Sequence, residues 1–416
     1  MKKFNYFLLL SMVVSTVGCM DGDPQDRDIQ PNLRTLTAEE QSLATYSGDF
    51  AIDLYLKLKN HDDTNLFFSP FSIQQALSMT MNGNKGTVIE EYIQTLRYDN
   101  LTADQANIAN EGLTQFLQEV DPKVTFKIAN GIWYKESLTV KEAFQQIVQQ
   151  HYFAALSGLN MANPNSVDII NSWIEAHTNN LIQNMLDYIH KDAVMYLVNA
   201  IYFKGDWKYQ FKKGATVKAP FHVDEHTIVN VDMMNTQEPA NLNYHKPEHL
   251  TYLEIPYSTG QYSMGVLLPD EPNLDQVEEL LNSENLLQWR NAARERTIIL
   301  HMPKFNMHKK IGNLKEDLKA LGLVTPFEFD EQNFTELFDT PTDDLKISRV
   351  IHDAMIEVDE KGTEAAAATI VEAIATSAAP VGPPIIKLDK PFLFFIQEKH
   401  SGAILFIGKL SDPSLL

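Results

Sequence analysis

Residues 360–377 read Glu-Lys-Gly-Thr-Glu-Ala-Ala-Ala-Ala-Thr-Ile-Val-Glu-Ala-Ile-Ala-Thr-Ser. The four alanines after Glu364 are strong helix formers, whereas Ile370 and Val371 favour strand. Neither element continues past Ser377, because Pro380, Pro383 and Pro384 remove backbone donors and clash with a regular chain. Read as a strand, the tract sorts cleanly. Alternation puts Thr363, Ala365, Ala367, Thr369, Val371 and Ala373 on one face, and Glu364 and Glu372 on the other. The first face is small and uncharged, so it could enter the middle of a sheet without burying a charge. A surface helix running into a Pro-rich loop is the alternative reading.

The chain around this tract has 416 residues, 44% of them hydrophobic, enough for a large core. No Pro/Gly/Ser-rich linker or repeat interrupts 45–410, which reads as one domain. The net charge of −21, from 34 basic and 55 acidic residues, argues against nucleic acid or an anionic membrane surface as a partner.

The N-terminus reads as a targeting segment. Lys2 and Lys3 precede an apolar run, Phe7 to Val14, that is too short for a membrane span. The run leads into Ser15-Thr16-Val17-Gly18-Cys19, which resembles a bacterial lipobox. Cys19 is the only cysteine in the chain, and a lone thiol suits an exported protein poorly unless it is modified. The expectation is a signal peptide over 1–18, lipid on Cys19, and a solvated tether over 19–44 that holds Asp21, Asp23, Asp26 and Asp28. Outer-membrane location, with the body exposed at the cell surface, follows as the expected setting. Removal of Lys2 and Lys3 would deepen the charge from −21 by two, to −23. A body without cysteine has no disulfide and no thiolate nucleophile.

Within the body, Phe50, Leu54 and Leu58 follow helical spacing, and Ser69-Pro70 is a helix start, serine as cap and proline in the first turn. Phe126 to Tyr134 and Met195 to Phe203 read as buried strands. Asn199 interrupts the second with an amide that needs a hydrogen-bonding partner across the sheet. Asn171, Trp173, Thr178, Ile182 and Leu186 lie at roughly helical spacings, with Trp173 as core. Leu253–Tyr257 and Ser263–Pro269 read as two strands about a turn, and Pro391–Ile396 with Leu405–Lys409 as a closing pair. Helices early and strands late suit an α+β fold.

Glu360, Gly362, Thr363, Glu364, Ala365, Ala366, Ala367 and Ala368 resemble the proximal hinge of the reactive loop of inhibitory serpins. The resemblance extends over residues 45–413. Asn65, Ser69, Pro70 and Ser72 resemble the family's shutter, where the central sheet parts, and Asn199 belongs to the strand running up from it. Trp207 matches the breach tryptophan at the top of that sheet. The resemblance implies a serpin domain over 45–416 with a large central sheet, two further sheets, and an exposed reactive-centre loop over 360–386.

The family's mechanism would make the chain an inhibitor and not an enzyme. A protease cleaves the loop and forms an acyl intermediate. The loop then inserts as a new central strand and carries the protease away before deacylation. Gly362 gives backbone freedom at the pivot, and Thr363 is the first residue to enter, at the loop's base before cleavage. Family counting places the scissile bond sixteen residues past Glu360, at Thr376-Ser377, with Ala375 or Ile374 as alternative positions. Uncharged neighbours fit elastase-like or subtilisin-like serine proteases, of a host or of neighbouring bacteria, better than trypsin; papain-like cysteine proteases are a further target class. A non-inhibitory serpin-fold surface lipoprotein, acting as a binding or chaperone module, is the alternative. The protein is expected to be a monomer.

Other chemistry finds no pattern. The 12 histidines include no His-Glu-x-x-His arrangement, and no Gly-x-Ser-x-Gly elbow occurs. His301 and His352 read as structural histidines. No helix carries the basic run that would capture a sulfated polysaccharide, and no cofactor or metal is implied.

Overall fold

In a computed structural model, residues 29–61, 65–191, 193–339, 345–347, 349–363 and 382–416 are described. The first part is mostly helical: α1 (Ala38–Leu58), β1 (Leu66–Phe68), α2 (Pro70–Met81), α3 (Thr87–Thr95), α4 (Ala103–Glu119), β2 (Thr125–Lys135), α5 (Glu142–Tyr152), β3 (Ala155–Leu159) and α6 (Ser166–His177). Strands then take over: β4 (Met195–Asp206), β5 (Val217–His222), β6 (Ile228–Asn235), β7 (Ala240–His245), β8 (Leu250–Pro256) and β9 (Tyr262–Pro269). After α7 (Asp275–Leu280) and α8 (Ser283–Ala292) come β10 (Arg294–Pro303), β11 (Phe305–Ile311) and α9 (Lys315–Ala320). The chain closes with β12 (His352–Val358), β13 (Gly362–Thr363), β14 (Ile385–Lys387), β15 (Phe392–Glu398) and β16 (Ile404–Leu410).

Local chemistry explains the helix starts. Thr37 caps α1 in a reciprocal capping box with Glu40, and Thr102 caps α4 in the same way with Gln105. Ser69 caps α2, with Pro70 in its first turn. The Thr37 cap also sets α1 starting ahead of residue 45. Asn32 donates its N–H to the carbonyl of Val120 at 2.8 Å, so the later part of the stretch read as a tether packs onto the body.

The helical pattern through Leu186 breaks early. α6 ends at His177, because Asn179 and Asn180 adopt φ of 54° and 62°, the left-handed region that asparagine tolerates. The Asn171 amide then takes over, accepting from the N–H of Leu186 and donating to its carbonyl, both at 2.9 Å. Trp173 is half-buried rather than core, set edge-on to Trp133 at 5.0 Å.

The strands form two sheets among the described residues. The six-stranded sheet runs β11-β12-β13-β4-β2-β3. The ten-stranded sheet runs β1-β16-β15-β9-β8-β7-β10-β6-β5, with β14 beside β10. Two smaller sheets were expected beside the central one. They are joined because β10 is long enough to pair β7 along Arg294–Ile298 and then β6 along His301–Pro303. Between the two sheets lies the main core, where Phe67 stacks with Phe406 and Phe394 at 5.3 and 5.9 Å. Helix α2 reaches both β4 and β16, which places its start directly beneath the six-stranded sheet.

Candidate functional site

Along the middle of the six-stranded sheet, β2 and β4 pair antiparallel over ten positions, from Thr125 opposite Lys204 to Tyr134 opposite Met195. The other side of β4 differs. Among the described residues its strand partner there is β13 alone, with Gly362 opposite Asp206 and Thr363 opposite Gly205. β13 in turn pairs antiparallel with β12 through Thr363 and Val358. Thr363 therefore sits between two long strands, paired on both sides, at the end of the short middle strand β13. Below it, a cavity of 490 Å³ separates β4 from the segment leading into β12 and is floored by α2. Leu77, Met195, Leu197, Phe338, Ile347 and Ile351 give it apolar walls.

The upper end is tightly built. Trp207 is buried; its indole N–H donates to the Asp359 carbonyl at 2.9 Å and its backbone N–H to the Lys361 carbonyl at 2.7 Å. Tyr257 stacks on Trp207 with centroids 4.4 Å apart, and its hydroxyl lies 3.0 Å from Oγ1 of Thr363. Glu360 is buried and accepts from Thr216 Oγ1 at 2.8 Å and from Lys304 Nζ at 3.0 Å. Burial opposes its charge, but these donors win and hold its carboxyl below the ordinary glutamate range. Gly362 has no room for a side chain, since a Cβ there would lie 2.2 Å from the carbonyl oxygen of Gly205. Its glycine answers to close approach of two backbones as well as to pivoting.

A second group sits where α2 meets the sheet. Ser69 Oγ caps the N–H of Ser72 at 3.1 Å and donates to the carbonyl of Leu405 at 2.7 Å. The Ser69 N–H donates to Nε2 of His352 at 2.9 Å. Wholly buried, His352 is pushed down to about 3, because charging it would cost solvation that no neighbour returns. The Ser72 hydroxyl donates to Oδ1 of Asn199, and the Asn199 amide donates to Oδ1 of Asn130 at 2.5 Å, the residue opposite it in register. The partner that the sequence demands for Asn199 is thus on the neighbouring strand. Asn130 passes the network on, donating to the carbonyl of Tyr152 at 2.8 Å and to Gln75 at 3.5 Å.

The structure thus gathers Ser69, Ser72 and Asn199 at one place and Glu360, Gly362, Thr363 and Trp207 at another. Asn65 stands apart in its bonding. Its amide donates to the carbonyl of Asp412 at 2.6 Å and accepts from Ser411 and Asp412, tying down the chain after β16. Glu364, Ala365, Ala366, Ala367, Ala368, Ile374, Ala375, Thr376, Ser377 and Cys19 lie outside the described residues. Sequence reasoning missed Asn130, Gln75 and Tyr257. Asn130 carried a signal, since it is an amide inside an apolar strand just as Asn199 is. Tyr257 carried none, because its partners come from distant parts of the chain. Among the described residues no cluster of histidine, cysteine and carboxylate could hold a metal ion.

The family model described as Serpin (serine protease inhibitor) matches residues 45–413. Rat alpha-1-antiproteinase is 33% identical over 396 residues, spanning 94% of this chain and 92% of its own length. Human Serpin B4 is 32% identical over 89% of this chain and 100% of its own. Among solved structures, human thyroxine-binding globulin superposes with a TM-score of 0.81 at 26% identity, covering 90% of this chain and all of that one. The thermophilic serpin tengpin in its native state gives 0.80 at 28% identity, over 92% and 97%.

Proposed function

This chain belongs to the serpin family of serine protease inhibitors, and on that premise we propose that it traps proteases as a suicide substrate. It is not an enzyme: the bond-breaking chemistry is the target's. The target attacks the loop, at Thr376-Ser377 or with the bond shifted to Ala375 or Ile374. The acylated loop then enters the six-stranded sheet between β4 and β12.

The observation that carries this reading is the seat of Thr363. It already pairs antiparallel with both strands. The small, uncharged face of Thr363, Ala365 and Ala367 suits a strand continuing down from that seat. The Ser69, Ser72, Asn199 and His352 contacts are the groups that such a strand must pass, which fits a shutter role. Trp207 and Tyr257 close the top, which fits a breach. Ile374 to Ser377 offer no basic residue, so elastase-like and subtilisin-like serine proteases are the targets we propose. The Gly18-Cys19 junction supports export, lipid attachment at Cys19 and display at an outer membrane.

The test is to incubate the protein with a panel of serine proteases and look for denaturant-resistant complexes of summed mass. The released C-terminal peptide gives the cleaved bond. Cleavage by every active protease with no stable complex would overturn the proposal.

A further inference from the structure

Tyr257 follows β8 and is held from several sides. It forms an isolated antiparallel bridge with Trp207, and its N–H donates to the carbonyl of Tyr262 at 2.9 Å. Its ring stacks on Trp207 at an interplanar angle of 15° and meets the edge of Phe203 at 5.1 Å. Gly205 packs against the ring, where a Cβ would come within 3.1 Å. With the ring so confined, the position of the hydroxyl is set in advance. It lies 3.0 Å from Oγ1 of Thr363.

The two hydroxyls do not stand to lose equally. If Thr363 leaves the sheet toward solvent, its own hydroxyl finds water. Tyr257 is fully buried, so its hydroxyl would be left without its partner unless water followed it in. The cost of withdrawal therefore falls on Tyr257, and a buried unpaired hydroxyl is unfavourable. Burial also raises the phenol well above its ordinary value, which keeps the hydroxyl protonated across the physiological range.

We propose that Tyr257 is a positioning residue for loop insertion: its hydroxyl latches Thr363 between β4 and β12 and thereby sets the rate at which the rest of the loop follows. The proposal rests on the trapping function above. Insertion races deacylation, so a weaker latch sends more inhibitor down the substrate branch.

The experiment compares wild type with Tyr257→Phe, Thr363→Val and the double variant. Tyr262→Phe is the control. Tyr262 packs on the same Phe203 ring at 5.4 Å, but its hydroxyl donates to the Leu117 carbonyl instead. Two readouts are taken: the ratio of cleaved protein to covalent complex, and amide hydrogen exchange at Gly362 and Thr363 in the uncleaved protein. Losing one matched hydrogen bond should raise the cleaved fraction and the exchange rate roughly fivefold in each single variant. The double variant should be no worse than either single, Thr363→Ser should behave as wild type, and Tyr262→Phe should change neither readout. Single effects that multiply in the double variant, or an unchanged Tyr257→Phe, overturn the latch. A wild type that forms no complex with any protease overturns the trapping function instead, and the exchange readout still decides the latch.

Discussion

The backbone N–H of Ser69, the residue that caps α2, is bonded to Nε2 of His352, the residue that opens β12, across 2.9 Å. The helix under the cavity and the strand at its edge are joined by one neutral imidazole. Burial depresses His352 to about 3, against an ordinary value of about 6.5. As pH falls below 6.5 the unfolded chain takes up this proton first. The stabilisation is therefore whole above about pH 6.5 and is lost progressively toward pH 3. At pH 5 the loss should be about 2 kcal/mol. His352→Gln keeps an acceptor for Ser69 and removes the titration, so its urea stability should change less than that of wild type between pH 7 and pH 5. Equal slopes would show that His352 is not the group responsible.

Thr363 is buried in the sheet, whereas the sequence leaves it at the loop's base before cleavage. Its seat between two strands is the reason for the difference. Thr363→Arg would force a charge into that seat at a cost of several kcal/mol. The variant should therefore melt earlier than wild type as well as act as a substrate. Efficient complex formation by Thr363→Arg, measured on a denaturing gel, would sink the inserting-strand mechanism.

Asn130 joins β2 to β4 by its bond with Asn199, and reaches α2 through Gln75. Asn130→Leu would leave the Asn199 amide and the Tyr152 carbonyl short of a partner. The expected loss is about 1–3 kcal/mol, read as a lower urea midpoint. A Leu variant as stable as wild type would show the amide pair to be dispensable.

Ile374-Ala375-Thr376-Ser377 should favour a small apolar specificity pocket. Second-order rate constants for complex formation should be higher with an elastase than with trypsin, by tenfold or more if the pocket contributes about 1.4 kcal/mol. Faster trapping of trypsin contradicts this loop assignment.

Cys19→Ser in the full-length precursor should abolish lipid incorporation and move the protein out of the membrane fraction. Metabolic labelling with a fatty acid and cell fractionation test this together. Wild type that carries no lipid refutes the anchor.

The pieces legible in the sequence were those with local causes. Ser69-Pro70 announces α2, and the apolar runs around Phe126 and Met195 announce β2 and β4. Strand alternation marked Thr363 as belonging to a small, uncharged face, but not that it is already seated in the sheet, because that seat is made by β4 and β12 from distant parts of the chain. Asn199 announced that it needed a partner but not which one, because register between β2 and β4 is set only on folding. The end of α6 was hidden by apolar spacing that continues past the asparagines at 179 and 180. The joining of the smaller sheets by β10 was hidden for a different reason: strand length is local, but which neighbours it meets is not.

Where Gly362 pairs with Asp206, the main chain of Gly205 and Asp206 leaves no space for even one methyl group on residue 362. That close approach acts as a gauge on what the molecule can be made to do. On the proposed mechanism, the bait at 374–377 could be rewritten to attract a different protease, since recognition and sheet entry would use separate residues. Residue 362 cannot be rewritten in the same way, because a Cβ there would meet main-chain atoms of Gly205 and Asp206 that cannot swing aside. Redesigned inhibitors built on this scaffold would therefore share one fixed aperture, with interchangeable bait beyond it.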